Sequence, residues 1–343
     1  MRKALTLAAA LLITLTTAAQ QPRTIAVDPN RHTLYTQTEL YQGFNATTQN
    51  PGWDARIYDQ YVRFARHSPS PATTRLIALH DAAISSALDA YLLQHPPSTI
   101  VSVTGNALEN IRCTAVYRQT AELGYALTRA GYLVATGGGP GEMEAANLGA
   151  YLANQPPAAI DEAIQILRAR ATSSPDPTNC TYPTRLTATQ AAMDVLKRFP
   201  NGADSLGIPT WFYGWEPTNV FALHVAKYFS NAIREDRLME IGAAGSIYTE
   251  GRAGLRQEIF QKATQNDFAT FCNVAPQVFL GTHAFGDSGL YAASSTFATQ
   301  APLPVGDYSS YFLLTDSVPE TVAFLKSHPT RIIVTTEGPC AKS

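Results

Sequence analysis

The sequence predicts an α/β protein: a doubly wound, mostly parallel, Rossmann-like sheet with helices on both faces. Three observations carry that prediction. Short β-branched runs alternate with amphipathic helical stretches, the order that parallel strands and right-handed crossovers require. A cluster of glycines stands where one such run ends and a helix begins. And of the 343 residues 45% are hydrophobic and only 15% charged, which supplies apolar surface for a sizeable core. The 25 Lys+Arg and 27 Asp+Glu leave a formal charge of −2. That balance excludes a strongly basic nucleic-acid binder, and the low charge density excludes a charge-rich disordered chain.

The elements follow in order. Arg2 and Lys3 precede an apolar run over 4–15, and small residues at Thr17 and Ala19 follow it. A bilayer-spanning helix needs about 20 apolar residues, so residues 1–19 read as a signal peptide cleaved near Gln20. Export to a secreted or periplasmic location is expected, with no stable membrane association after cleavage. Residues 20–71 are rich in Thr, Gln, Asn and Tyr without a sustained period and read as an irregular arm with helical pieces near 57–66, closed by Pro69 and Pro71.

The Rossmann-like domain is expected over 72–343. Leu76, Ile77, His80, Ala83, Ile84, Leu88 and Tyr91 stand at helical spacing over 73–93, and Pro96-Pro97 stops that helix. A strand over 99–104, a helix over 115–130 closed by Gly131, a strand over 132–136 and a helix over 142–153 come next. Residues 155–201 interrupt the alternation with two helical patches around a polar loop at 173–184, and read as an insertion. The alternation resumes with a strand over 207–213, a helix over 220–240, a strand over 245–249, a helix over 255–264, a strand over 277–280 and a final strand and helix within 311–326.

Cys113, Cys180, Cys272 and Cys340 form no C-x-x-C pair, so neither a zinc ribbon nor a thioredoxin-like motif is supported. An even count in an exported chain permits disulfides, and the three complete pairings stay open. The seven histidines show no H-x-x-x-H spacing, and no metal is expected. Gly286-Asp287-Ser288-Gly289 is similar to the nucleophile loop of trypsin-like proteases, but Leu290 follows it and the scaffold is wrong. Trp211, Phe212, Tyr213 and Trp215 fit either base stacking or packing under a helix.

The chemistry is concentrated at Thr136-Gly137-Gly138-Gly139-Pro140-Gly141-Glu142-Met143-Glu144, a strand end running into a helix start. Glycines there let backbone N–H groups approach an anion at the positive helix terminus, so a phosphate is the natural ligand. The spacing is not that of the dinucleotide fingerprint, and the loop follows the second strand instead of the first, which disfavours a dehydrogenase.

The segment 121–150, AELGYALTRAGYLVATGGGPGEMEAANLGA, resembles the phosphate-binding signature of the Lonely Guy (LOG) family, Rossmann-like nucleotide-binding proteins long mislabelled lysine decarboxylases. The family's second signature, Pro-Gly-Gly-x-Gly-Thr-x-x-Glu, is similar to 250–258, where Gly251, Gly254 and Glu258 are kept. Glu250, Arg252 and Leu255 replace the proline, a glycine and the threonine. The family's Arg-Lys pair falls near Arg234, within a one-residue shift, with Arg237 the alternative and the lysine missing. Glu216-Pro217-Thr218-Asn219 resembles the family's acid-and-asparagine loop. The likeness covers about 100–325 and omits the arm and the insertion.

The resemblance implies hydrolysis of the N-glycosidic bond of a purine nucleoside 5′-monophosphate to free base and ribose 5-phosphate, without cofactor or metal, in a homodimer. It assigns phosphate binding to Gly137, Gly138, Gly139, Gly141, Glu142, Met143, Gly251 and Gly254, and further substrate contacts to Glu144, Asn147, Glu216, Asn219 and Arg252. The residue types agree independently of the name. Glycoside cleavage passes through an oxocarbenium-like sugar and needs a nearby carboxylate, for which Glu258 is the candidate. An arginine clamps phosphate or contacts the departing base, the role expected of Arg234. The partner is a small-molecule nucleotide and not a nucleic acid. The alternative is a non-catalytic nucleotide-phosphate binder of the same fold, in which the altered second loop has lost turnover.

Overall fold

Seven short strands, all parallel, form the central sheet of the computed structural model, which describes residues 24–172, 178–214 and 216–341. The expected leader, Trp215 and part of the 173–184 loop lie outside the described residues. The chain opens with helices α1 (Gln37–Leu40), α2 (Trp53–Phe64) and α3 (Pro71–Leu92). Then come β1 (Ile100–Thr104), α4 (Ala115–Arg129), β2 (Leu133–Thr136), α5 (Glu142–Tyr151), α6 (Ala159–Arg168) and α7 (Arg185–Arg198). The second half contributes β3 (Leu206–Gly207), β4 (His224–Val225), α8 (Asn231–Ile241), β5 (Gly245–Tyr248), α9 (Ala253–Asp267) and β6 (Asn273–Val274). It ends with β7 (Gln277–Leu280), α10 (Thr282–Asp287), α11 (Leu290–Ala298), β8 (Phe312–Thr315), α12 (Val318–Ser327) and β9 (Arg331–Ile332).

The strand order β4-β3-β2-β1-β5-β7-β8 reverses direction at β1, which makes this a doubly wound α/β sheet of Rossmann-like topology. Because successive side chains point to opposite faces, each strand feeds two cores. Val101 and Val103 of β1, Val134, Ile247, Val278 and Leu280 pack against Leu123 and Leu127 of α4, Ala146 and Ala150 of α5 and Leu325 of α12. Ile100 and Ala135 turn the other way, towards Leu238 and Met239 of α8. Helices α4 and α5 meet through glycines: a Cβ at Gly124 would strike the Ala146 carbonyl and one at Gly149 the Ala121 carbonyl.

Two expectations need correction. The strand expected over 207–213 is two residues long, and the first half of the helix expected over 220–240 is instead the edge strand β4, with α8 starting at Asn231. The run Val220, Phe221, Ala222, Val225, Ala226, Tyr228 and Phe229 is buried on every side, so apolar content marks a covered strand and its flanks here, not one helical stripe. What covers it is the N-terminal arm, mostly turns and coil with α1 and, at the expected helical piece, α2. Tyr35 exchanges both backbone hydrogen bonds with Val225, each 2.9 Å, and Ile25, Leu34, Leu40, Ile57 and Tyr61 join the core of the sheet. The arm therefore closes an edge that would otherwise present unpaired N–H and C=O groups.

The cysteines pair Cys113–Cys180 and Cys272–Cys340. The first ties the 3-10 turn before α4 to the 155–201 segment, and the second ties the C-terminal tail to the start of β6. No helix among the described residues is long and apolar enough to cross a membrane.

Candidate active site

The crevice of a doubly wound sheet opens at the carboxyl ends of the strands where the order reverses. Here it lies between the loops that follow β1, β2 and β5. The β2 loop is fixed from inside. Thr136 Oγ1 accepts from Gly138 N at 3.0 Å and donates to Asn147 Oδ1 at 2.6 Å. Gly138 and Gly141 have φ of +70° and +75°, a region that disfavours other residues, and Gly141 precedes the first turn of α5. Gly137 is needed for a second reason: a Cβ there would lie 2.6 Å from Arg234 Nη2 and 2.6 Å from Met143 Sδ. The glycine cluster thus admits a guanidinium to its own backbone.

Arg234, not Arg237, is the arginine of the site. Its Nε donates to the Ile208 carbonyl at 2.9 Å and its Nη1 to Glu258 Oε1 at 3.1 Å, while Glu235 Oε1 lies 3.6 Å away. Arg237 faces elsewhere and pairs with Glu240 and Asp89. Glu258 is 5% exposed and Arg234 8%. Burial pushes the Glu258 carboxyl up to about 7, with Arg234 pulling it down and Glu235 raising it further. A carboxyl so poised exchanges a proton near neutral pH, which suits general acid–base work.

Glu142, the first residue of α5, is also buried, and its Oε2 accepts from Asn106 N at 3.3 Å and from Thr249 Oγ1. Burial lifts it to about 7 against those two hydrogen bonds. Its carboxyl therefore joins the loops after β1 and β5 across the crevice. Met143 presses its thioether on Gly137 and Gly139.

The remaining sequence candidates divide. Asn219 belongs to the site's frame: its N–H donates to the Gly138 carbonyl at 2.9 Å and its Nδ2 to the Gly139 carbonyl at 3.2 Å and to Asn147 Oδ1 at 3.0 Å. Asn147 is fully buried and serves as the hub of that frame. Glu216 is half-buried, its Oε2 3.6 Å from the position a Gly139 Cβ would take. Glu144 is not free for a substrate. Arg112 grips it through Nε–Oε1 at 2.7 Å and Nη2–Oε2 at 2.5 Å, and Tyr117 donates to Oε1 at 2.7 Å. Gly251 and Arg252 lie in an exposed loop ahead of α9, and Gly254 is exposed in the first turn of that helix. A Cβ at Gly254 would meet nothing within 4 Å, so close backbone approach does not require that glycine. Leu255, where the resemblance places a threonine, is buried as core.

Beside the pair stands a polar group of which the sequence singled out only Tyr213. Tyr213, 49% exposed, donates to Glu235 Oε1 at 3.4 Å and accepts from Asn231 Nδ2 at 2.8 Å, and Gln257 donates to Glu235 Oε2. Glu235 and Gln257 directly neighbour Arg234 and Glu258 in sequence, and no spacing signal singles them out. The aromatic run splits: Phe212 and Tyr213 are exposed, while Trp211 is 1% exposed and stacks on Phe229. No group of three or more His, Cys, Asp or Glu placed to hold a metal ion occurs among the described residues.

The topology defines the class as an α/β protein of Rossmann-like fold. No family model matches the chain, and no curated protein matches it in sequence. Among solved structures it is similar to the molybdenum cofactor binding protein from the phototrophic bacterium Rippkaea orientalis, at 12% identity over 66% of this chain and 95% of that chain, with a TM-score of 0.40.

Proposed function

We propose that the chain is a LOG-like phosphoribohydrolase that cleaves the N-glycosidic bond of a purine nucleoside 5′-monophosphate. The observation that carries this reading is the Gly137–Arg234–Glu258 arrangement: a guanidinium seated on the glycine loop and, through the same side chain, on a buried carboxyl raised to about 7. The 5′-phosphate takes the N–H groups of the glycine loop at the start of α5. Arg234 adds a fixed cation beside it.

Glu258 then faces the ribose. As carboxylate it stabilises positive charge on the sugar as the C1′–N bond breaks, and it removes a proton from the attacking water. Water supplies the hydroxyl at C1′, the base leaves with the bond's electron pair and takes up a proton, and the products are free base and ribose 5-phosphate. Asn231 and the Tyr213–Glu235–Gln257 group stand ready to contact the base.

One observation favours the non-catalytic reading. The loop over 250–252 is exposed and carries Glu250 and Arg252, and Gly254 in the first turn of α9 is a glycine that no close contact demands. Incubation of the purified protein with a panel of nucleoside monophosphates, followed by chromatography, decides between the two. Release of one free base selects the hydrolase; tight AMP binding with no release selects the binder.

Export belongs to the same proposal. Paired cysteines suit an oxidising compartment, and N-terminal sequencing of native material tests cleavage near Gln20. Homodimer formation, which the family resemblance implies, is tested by sedimentation.

A further inference from the structure

We infer that the N-terminal arm is a working part of the site: Asp54 and Tyr41 are positioning residues that set the glycine loop through the Pro217–Asn219 turn. The arm lies outside every motif discussed above. Yet its buried polar atoms converge on that turn.

Asp54, 1% exposed at the start of α2, accepts from Trp211 Nε1 at 2.8 Å and from Lys227 Nζ at 2.9 Å. Lys227 is completely buried and spends a second hydrogen on Thr218 Oγ1 at 2.9 Å. Tyr41, just beyond α1, donates its hydroxyl to the Thr218 carbonyl. Thr218 is therefore held from both its side chain and its backbone by groups that the arm provides or anchors. The next residue is Asn219, whose N–H and side-chain amide hold the carbonyls of Gly138 and Gly139.

The geometry of the peptide unit converts this into function. A trans peptide keeps C=O and N–H in one plane, pointing in opposite directions. Fixing the Gly138 carbonyl towards Asn219 therefore turns the Gly139 N–H away from Asn219. Pro140 has no N–H, so Gly139 is the donor this constraint orients in mid-loop. Glycines have no side chain to settle their own conformation, and external hydrogen bonds must do it.

A second set of bonds from the arm supports the arginine. Tyr35 is hydrogen-bonded to His80 at 2.8 Å and His80 to Asp81 at 3.1 Å, and Asp81 accepts from Phe229 N and Ser230 N at 3.0 and 2.8 Å. Ser230 caps the helix that carries Arg234. The arm thus reaches the loop by one route and the arginine by the other.

The test uses the full chain with Asp54→Asn and Tyr41→Phe. Asn keeps an acceptor for Trp211 and loses the charge that holds Lys227; Phe removes one hydroxyl and keeps the ring, so it folds even where Asp54→Asn does not. Two readouts are taken, amide hydrogen exchange and AMP kinetics. Exchange at Gly137, Gly138, Gly139 and Gly141 is expected to accelerate in the folded variants while β7 and β8 keep wild-type protection. The AMP KM is expected to rise about tenfold in Asp54→Asn and a few-fold in Tyr41→Phe, with kcat changing less, since the loop is misplaced and the Glu258–Arg234 pair is not.

Uniform acceleration over all strands would overturn the inference by making the role merely structural. Unchanged loop exchange in Tyr41→Phe would overturn it as well. The kinetic readout rests on the proposed nucleotide reading, whereas the exchange readout does not. A wild type that neither binds nor cleaves AMP sinks the proposed function and leaves exchange to decide the role of the arm.

Discussion

Glu258→Gln separates the cost of burying a carboxyl from its use. Burial lifts Glu258 from an ordinary value of 4.5 to about 7. At ~1.4 kcal/mol per pKa unit, holding the ionised form in the folded chain costs about 3 kcal/mol. The sign follows from proton linkage. Between pH 4.5 and 7 the folded state keeps a proton that the unfolded state has released, so this group's contribution to stability falls as pH rises through that window and levels off above it. Glutamine does not titrate.

The difference in unfolding free energy between variant and wild type should therefore shift in the variant's favour by about 2–3 kcal/mol between pH 5 and pH 8. Loss of Arg234's partner adds a pH-independent offset that cancels in this comparison. Urea unfolding of both proteins at pH 5, 6, 7 and 8 measures it. On the nucleotide substrate, wild-type kcat/KM should climb with pH through about 7 as the carboxylate forms, and the variant should lose about a hundredfold or more in kcat while binding survives. A stability difference that stays flat from pH 5 to 8 would refute the raised carboxyl, and the role given to its ionisation would fall with it.

Gly149→Ala forces a methyl into the Ala121 carbonyl at the α4–α5 contact and should destabilise the chain by about 1–3 kcal/mol, read from the urea midpoint. Glu144→Ala leaves Arg112 buried without its carboxylate and should cost about 3–5 kcal/mol by the same measurement, far more than a surface pair would. Gly139→Asp brings a carboxylate towards Glu216, and the new Cβ meets only the mobile end of Met143, 2.9 Å away, so the fold should persist. Its AMP affinity, measured by calorimetry, should fall about tenfold or more, and wild-type affinity would remove the phosphate from the glycine loop.

The first half of the sheet was legible because local chemistry and tertiary role agree there. Ile100, Val101 and Val103 are β-branched, a glycine closely follows β1, α4 and β2, and Thr136 to Gly141 has a composition suited to close backbone approach. Motif spacing singled out Arg234 and Glu258, and the structure brings them within 3.1 Å of each other. The stretch over 206–230 was not legible. Its two strands are two residues each, and a segment buried on all sides loses the one-sided period that distinguishes helix from strand.

The arm was illegible for a related reason. Its polar residues look solvent-facing in sequence, but Asp54, Tyr35 and Tyr41 are satisfied by partners far away in the chain. A motif position identifies Glu144 and not its partner; Arg112, which pairs with it, sits in a 3-10 turn with no signal of its own.

The reach of those arm contacts bears on the order in which the molecule is made. Asp54 must wait for Lys227, 173 positions later, and Tyr41 for Thr218, 177 positions later. A ribosome releases the arm first, and although His80 of α3 follows Tyr35 by only 45 positions, Thr218 and Lys227 are not yet made at that stage. Contacts of such long sequence separation close late and slowly. Edge strand β4 therefore stays uncovered until the earliest-made residues return to it.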